Sequence, residues 1–195
     1  MLASITPLGE RGRHRSYPVT MTAFLLSATA AGAALGAVLG AIGSLIAGGV
    51  PGSARLVVLA VACAVALAID LRPGPAPGPH RQVDERWLDR YRGWVYGAGY
   101  GAQLGFGLAT VVSSAATYVA LLAAVLSGGA GTGALILAVY GAARGLTPLL
   151  AAGVRRPEQL MAWHARFLAW RRPFGLAGRA ALLGLAAIAL AGGVR

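Results

Sequence analysis

The sequence predicts an all-α, polytopic integral membrane protein with about five transmembrane helices, an N-terminus in the cytoplasm and a C-terminus outside. Of its 195 residues, 57% are hydrophobic and 12% are charged, and the mean hydropathy is +0.67. No charged residue occurs between Arg92 and Arg144, and uncharged apolar runs of more than about 18 residues are typical of transmembrane helices. These observations favour a membrane protein over a soluble domain with buried helices.

The chain divides into a basic N-terminal tail, residues 1–21, and a single transmembrane helical domain, residues 22–195. Residues 1–48 have the basic start and the small residues of a signal peptide, which is one alternative. Their apolar run is longer than the usual hydrophobic region of about 7–15 residues, so we expect a retained span. Met21 is a second candidate start, because the tail before it looks unstructured. The predicted spans are residues 22–48, 54–71, 95–126, 131–152 and 175–194.

The distribution of charge predicts the orientation. The formal charge of +11 comes from 17 arginines without any lysine. Arginines are frequent in the tail and in the connections 72–94 and 153–174, and the turns at 49–53 and 127–130 have none. This alternation places the arginine-rich connections in the cytoplasm and explains the charge better than nucleic-acid binding does, so no nucleic-acid partner is expected. Together with a composition rich in alanine and glycine, it favours the inner (plasma) membrane of a bacterium.

Two arginine-rich connections are predicted to carry amphipathic helices, over residues 81–94 and 157–172. Aromatic residues recur there at helical spacing, which is typical of helices at the membrane interface. The expected partner is therefore the lipid bilayer. Docking of a second copy of the chain, or of another membrane or cytoplasmic protein, is the alternative. The recurring residues are Val83, Trp87, Tyr91 and Trp94 in the first helix and Leu160, Trp163, Phe167 and Trp170 in the second.

Small residues recur every four positions in two of the spans. Such stripes let neighbouring helices approach closely, so they predict a tightly packed bundle. The stripes are Gly32, Gly36, Gly40, Ser44 and Gly48 in the first span, and Gly93, Gly97, Gly101 and Gly105 at the start of the third.

The third span is unusually long and polar. Its 32 residues, 95–126, would extend for roughly 48 Å as a helix, whereas the bilayer core is about 30 Å thick. A tilted helix with an interfacial start is one interpretation, and a broken or re-entrant helix that lines a polar cavity is the other. The polar residues along it are Gln103, Thr110, Ser113, Ser114 and Thr117.

The fourth span contains an arginine, Arg144, four residues before Pro148. Because proline has no N–H and clashes with the carbonyl four residues earlier, a kink with an unpaired acceptor is predicted at Arg144. Partial snorkelling towards the interface is the simplest interpretation of this charge. The acidic residue at the end of the second span is Asp70, and we expect it to contact Arg144 directly or through water.

These residues resemble a known family. The stretch LILAVYGAARGLTPLLAAG (Leu135–Gly153) is similar to the fifth helix of the CcdA/DsbD transmembrane family, and Gly99–Gly128 is similar to its fourth helix. The first two spans resemble that family's second and third helices. The resemblance implies the family's fold over most of residues 22–194. It argues against the family's thiol chemistry, because the stretch that corresponds to a T-P-C-like motif reads Ala109-Thr110-Val111-Val112.

No catalytic constellation is apparent in the sequence. Cys63 is the one cysteine, so no disulfide forms within the chain, and the three histidines lie in polar connections without ligand-like spacing. The GYGAQLG stretch is a spaced-glycine pattern within a span rather than a nucleotide site. We therefore expect no enzyme, no metal and no cofactor, and we interpret Cys63 as a small packing residue.

Three functions are compatible with these features. A small-solute or ion permease is favoured, and its cavity candidates are given below. An accessory or assembly protein, including support of cytochrome c biogenesis or thiol redox, would use the amphipathic connections to bind a partner. A redox relay through Cys63 needs a second sulfur from a partner. The cavity candidates are Gln103, Thr110, Ser113, Ser114, Thr117, Tyr140, Arg144, Pro148 and Asp70.

Overall fold

The computed structural model describes residues 5–74, 76–78, 86–107 and 112–193, without the side chain of Arg171. Within these ranges the chain is helical, and no β-strand occurs in them. The α-helices are α1 (Pro7–Gly12), α2 (Tyr17–Ile46), α3 (Gly52–Leu71), α4 (Trp87–Arg90), α5 (Gly93–Gly105), α6 (Ala116–Leu126), α7 (Ala130–Gly145) and α8 (Pro157–Gly193). A 3₁₀ helix, Thr147–Ala151, lies between α7 and α8.

Four helical segments are long and apolar enough to cross a membrane: Tyr17–Ile46, Gly52–Leu71, Ala130–Ala151 and Arg172–Gly193. They correspond to the first, second, fourth and fifth predicted spans. The predicted all-helical class is therefore confirmed over the described residues, and four of the five predicted spans coincide with helices that could cross a membrane. Many of the large apolar side chains on these segments are exposed, for example Leu45 at 85% and Ile188 at 73%, as is expected of surfaces that face lipid.

The third apolar segment is not a single helix. It forms α5 and α6, which have 13 and 11 residues and lengths of about 20 and 17 Å. Near the end of α5, Gly107 has a φ of +71°, a conformation that favours glycine. Each helix is shorter than the bilayer core of about 30 Å. Of the two interpretations of this segment, the structure has the broken helix.

Of the two predicted amphipathic helices, the second is present and the first is interrupted. In the described part of the first, α4 is followed by Tyr91 (φ −117°, ψ 160°), which is extended before α5 begins at Gly93. Residues 81–85, which include Val83, lie outside the described residues. In the second, the amphipathic stretch and the fifth apolar segment form one helix of 37 residues, α8, with Pro173 inside it. Helical spacing predicted α8 well, whereas the extended backbone at Tyr91 had no local signal.

The N-terminal tail, which looked unstructured in the sequence, contains α1. Thr6 caps this helix, because the Gly9 N–H donates to its hydroxyl over 3.1 Å, and Pro7 occupies the first helical position. Ile5 and Glu10 are 1% and 0% exposed, so the tail is packed rather than free.

The chain forms two compact units. Unit 1 comprises Met1–Gly32, Arg81–Thr110 and Ala138–Arg171. Unit 2 comprises Ala33–His80, Val111–Leu137 and Arg172–Arg195. The buried core of unit 1 is formed by Ile5, Met21, Phe24, Leu88, Tyr96 and Tyr100. That of unit 2 is formed by Cys63, Ala66, Ala115, Val119 and Leu182.

In unit 1, glycines of α5 lie where its backbone approaches the backbone of α2. A Cβ at Gly97, Gly101 or Gly105 would lie 2.6, 2.1 and 2.2 Å from the carbonyl oxygens of Thr20, Phe24 and Ala28. These distances exclude any side chain. The stripe on α5 therefore packs directly on the backbone of the first part of α2.

Unit 2 contains an equivalent approach. A Cβ at Gly36 or Gly40 would lie 2.1 or 2.2 Å from the carbonyl oxygens of Gly133 and Gly129. Gly133 in turn would place a Cβ 2.3 Å from the carbonyl oxygen of Gly36. The second part of α2 thus packs on the start of α7 with small residues on both sides of the contact.

Candidate functional site

Arg144, in unit 1, binds the C-terminal end of α5. Its Nη1 donates to the carbonyl oxygens of Leu104 at 3.3 Å and Gly107 at 3.4 Å. The last four carbonyls of a helix lack partners within the helix and carry the negative end of its dipole, so a cation there is favourable. The Leu104 carbonyl also accepts from the Gly107 N–H at 3.1 Å, so Arg144 supplies a second donor to it. Arg144 therefore stabilises the point at which the third apolar segment breaks.

Tyr140 holds the same guanidinium from one turn earlier on α7. Its hydroxyl accepts from Arg144 Nη1 at 3.2 Å, and the Arg144 guanidinium lies 5.6 Å from the centre of its ring. The second contact is within the range of a cation–π interaction. All three of these hydrogen bonds use Nη1. Among the described residues, Nε and Nη2 of Arg144 have no hydrogen-bond partner.

The Nε–Nη2 edge of Arg144 is the side of a guanidinium that binds a carboxylate or another oxyanion through two parallel hydrogen bonds. Arg144 is partly exposed. The arrangement therefore fixes the guanidinium by one nitrogen and leaves a donor pair for an anion.

The predicted effect of Pro148 at Arg144 is wrong in one respect. The backbone carbonyl of Arg144 is not an unpaired acceptor, because the hydroxyl of Thr147 donates to it. α7 ends at Gly145, and Pro148 lies buried in the 3₁₀ helix that follows. A threonine directly before the proline thus replaces the N–H that proline lacks, and the helix ends there.

Asp70, in unit 2, binds the N-terminal end of α6. One carboxylate oxygen accepts from the Ala115 N–H at 2.8 Å, and the other accepts from the Ser114 hydroxyl at 2.6 Å. Ser114 Oγ also accepts from the Ala116 N–H at 3.1 Å. An anion at a helix N-terminus meets unpaired N–H groups and the positive end of the dipole. Asp70 and Arg144 belong to different units, and their expected contact stays a prediction.

The remaining cavity candidates are spread over both units. Gln103 is half-buried on α5 in unit 1, and Thr117 is 5% exposed on α6 in unit 2. Ser113 is exposed beside Ser114. Thr110 lies outside the described residues. The structure therefore gives partners on helix ends to Arg144, Ser114 and Asp70, it places Tyr140 on the Arg144 guanidinium, and it does not gather the full predicted set in one unit.

Two further arginines at helix ends were missed by the sequence analysis. Arg179 Nη2 donates to the carbonyl of Asp70, near the end of α3, at 2.7 Å. Arg55 donates to the carbonyls of Val50 at 3.0 Å and Leu126 at 3.5 Å, and to that of Ala47. Both arginines interrupt apolar runs, and this is the signal that could have identified them.

A buried polar cluster in unit 1 was also missed. Glu10 is fully buried, accepts from the hydroxyls of Thr20 at 2.7 Å and of Tyr96, and lies 3.5 Å from Arg13 Nη1. Its hydrogen bonds connect α1 to α2 and α5. The Thr-Pro helix start with an acidic residue in its first turn was a readable signal of α1. No local pattern could have predicted the contact with Tyr96, which is 86 residues away.

No protein-family model matches the chain, and neither a curated protein nor a solved structure matches it. The likeness to the CcdA/DsbD family stays a prediction from the residues quoted above.

Proposed function

We propose that the protein is a multi-pass protein of the bacterial inner membrane that moves a small anionic solute and has no enzymatic or thiol-redox activity of its own. The N-terminus lies in the cytoplasm and the C-terminus outside, and α5 and α6 together form the third of five crossings. This arrangement is similar to the CcdA/DsbD scaffold without its cysteines.

One observation carries this proposal: the third segment is broken, and a partly free arginine binds at the break. Transporters commonly place discontinuous helices, with exposed helix ends, at the point where a solute binds. Here Arg144 is fixed to the end of α5 through Nη1, while its Nε–Nη2 edge has no partner among the described residues. A positively charged donor pair at that position favours an anion over a cation or a neutral solute.

The proposal is tested with the full chain in proteoliposomes. Chloride, acetate and inorganic phosphate are the probes, followed respectively with a chloride-sensitive dye, an internal pH dye and radiolabelled phosphate. We expect flux of at least one anion above that of protein-free vesicles. Arg144→Lys keeps the charge but loses the two-donor edge, so we expect it to reduce this flux by about tenfold or more.

Arg72→Lys is the matched control. Arg72 lies at the end of α3, is exposed, and has no hydrogen-bond partner for its side chain among the described residues. The anion flux of the Arg72→Lys variant should equal that of the wild type. Flux of all three anions at the level of protein-free vesicles, or full flux in Arg144→Lys, would contradict the proposal.

A second function is favoured by the exposed face of α8. Met161, Leu168 and Trp170 are 75%, 63% and 48% exposed there, among several arginines. An accessory or assembly protein would use this surface to bind a membrane or cytoplasmic partner. A photo-crosslinking residue at Met161 tests this second function: a discrete protein adduct in cells supports assembly, whereas labelling of lipid alone contradicts it and supports interfacial anchoring.

A further inference from the structure

Unit 1 contains a cleft of about 360 Å³ whose charge is entirely positive. Three arginines line it: Arg11 from α1, Arg15 from the segment between α1 and α2, and Arg155 from the segment just before α8. Tyr17 and Ala152 are among the other lining residues. Among the described residues no carboxylate lines this cleft. Three cations that share one concave space repel one another, and a bound anion would relieve that repulsion.

The carboxylate on the same helix as Arg11 is already engaged. Glu10 lies on α1 beside Arg11, but its carboxylate is fully buried and binds Thr20, Tyr96 and Arg13. It therefore neutralises Arg13 rather than the arginines of the cleft.

Hydrogen bonds of the backbone and side chains hold the walls of the cleft in place. The Leu8 N–H donates to the carbonyl of Val154 at 3.2 Å and so joins α1 to the segment that carries Arg155. The Arg155 N–H donates to Gln159 Oε1 at 2.8 Å. Arg15 donates to the carbonyl of Tyr91, and its guanidinium lies 5.3 Å from the centre of the Tyr96 ring. The guanidinium of Arg15 and the backbone that carries Arg11 and Arg155 are thus in place before any ligand binds, which lowers the entropic cost of binding.

Tyr17 provides an independent observation. Its hydroxyl is buried, and it has no hydrogen-bond partner among the described residues. A buried hydroxyl without a partner is unfavourable and uncommon in native structures. Since this oxygen has almost no accessible surface in the ligand-free protein, the Tyr17 side chain must shift towards the cleft before its hydroxyl can donate to a ligand oxygen there.

We propose that this cleft binds the phosphate group of an anionic ligand, with Arg11, Arg15 and Arg155 as the cationic donors and Tyr17 as a hydroxyl donor. Its volume is at the lower end of small-molecule sites, about 300–1,000 Å³, so it holds a phosphate together with part of the molecule that carries it. Two sources have this chemistry: the headgroup of an anionic phospholipid and a soluble phosphate compound. Basic pockets next to membrane helices bind such lipid headgroups. The site does not depend on transport by the protein.

Thermal unfolding of the full chain in lipid-free detergent micelles tests the proposal. Phosphatidylglycerol, inorganic phosphate and, as the zwitterionic reference, phosphatidylcholine are added separately at constant ionic strength. A ligand that binds only the folded protein raises the unfolding midpoint. A response to phosphatidylglycerol alone identifies a lipid ligand, and one to inorganic phosphate alone identifies a soluble ligand. A response to both shows that the phosphate group itself is recognised.

Two double variants with the same change in net charge locate the site. Arg11→Gln/Arg155→Gln removes two cations of the cleft, and we expect it to weaken binding by about tenfold for each cation. Arg156→Gln/Arg166→Gln removes two exposed arginines that do not line the cleft, and we expect unchanged binding. Equal losses in both double variants would overturn the proposal, as would no response of the wild type to either phosphatidylglycerol or inorganic phosphate.

Tyr17→Phe keeps the test decisive if the arginine variants fold poorly. It removes a single oxygen atom that has no hydrogen-bond partner in the described part of the ligand-free protein. We therefore expect an unchanged or higher unfolding midpoint without ligand, together with a smaller increase on adding the ligand. A full ligand response in Tyr17→Phe would exclude the hydroxyl from the site.

Discussion

Three arginines lie in or next to apolar segments, and each donates to backbone carbonyls at the C-terminal end of a helix. Arg55 binds carbonyls at the ends of α2 and α6, Arg144 binds those of α5, and Arg179 binds that of Asp70 on α3. A helix end that lies away from water needs partners, and a guanidinium offers five donors together with a favourable charge. The main role of these arginines is therefore to donate hydrogen bonds to helix ends. Among the described residues, the Nε–Nη2 edge of Arg144 has no partner, so it can bind a ligand as well.

At this scale we predict that Arg55→Met destabilises the protein. The change leaves the three carbonyls of Ala47, Val50 and Leu126 without this donor, at a cost of about 1–3 kcal/mol. The measurement is the free energy of unfolding in mixed micelles. Arg72→Met is the control, since Arg72 is exposed at the end of the same helix, and it should have less than half of that effect. Equal effects would mean that Arg55 acts through charge alone.

The broken third segment shows how an element is completed by distant charges. The Arg144 guanidinium binds the C-terminal end of α5, and the Asp70 carboxylate binds the N-terminal end of α6. Each charge therefore has the sign that stabilises the helix dipole at that end. The length, glycine content and polar residues of this segment already indicated a break as one alternative. They could not identify the partners, because these come from positions 40 and 45 residues away along the chain.

Two substitutions of Asp70 separate its charge from its hydrogen bonds. In Asp70→Asn the amide can still accept from the Ala115 N–H and donate to Ser114 Oγ, so the expected loss is the charge–dipole interaction, about 0.3–1 kcal/mol. Asp70→Ala removes both hydrogen bonds and should cost about 1–3 kcal/mol. Unfolding free energies of the two variants, compared with the wild type, check this order. Similar losses for both would attribute the effect to charge rather than to capping.

The glycine contacts give a second prediction for the elements. Gly36→Ala would place a methyl group 2.1 Å from the carbonyl oxygen of Gly133, so α2 and α7 must separate, at a cost of about 1–3 kcal/mol. Gly184→Ala is the control, because Gly184 lies within α8 and a Cβ there has nothing within 4 Å. It should be neutral or slightly stabilising. Thermal unfolding of both variants measures the difference, and a neutral Gly36→Ala would refute the close approach.

At the level of the whole molecule, the sequence pattern predicted the long helices better than it predicted how the remaining segments fold and pack. The four long apolar helices, the small-residue stripes and the amphipathic start of α8 all follow the sequence pattern. The packed N-terminal helix, the extended residue Tyr91 and the division of the chain into two units do not. Burial of Glu10 shows why: its partners, Thr20 and Tyr96, lie on other helices, and a hydrophilic tail gives no sign of which partners it will reach.

The orientation can be tested in intact cells with single cysteines. In a Cys63→Ala background, cysteine replaces Gly49, Gly131 or Gly153, where an added Cβ meets nothing within 4 Å. A membrane-impermeant maleimide should label positions 49 and 131 from outside, and it should label position 153 only after the cells are opened. Labelling of position 153 in intact cells would reverse the proposed orientation.

The sequence by itself determined that this chain is helical with apolar helices long enough to cross a membrane, and where those helices lie. It could do so because every residue of a span must be stable away from water. The span is therefore apolar over its whole length, and its composition shows this. Only the tertiary structure decided what Arg144 and Asp70 bind. A charge within a span needs a partner, but the partner is whichever helix end the packing brings within about 3 Å. That choice depends on contacts between segments 40 or more residues apart, and no local pattern of residues contains it.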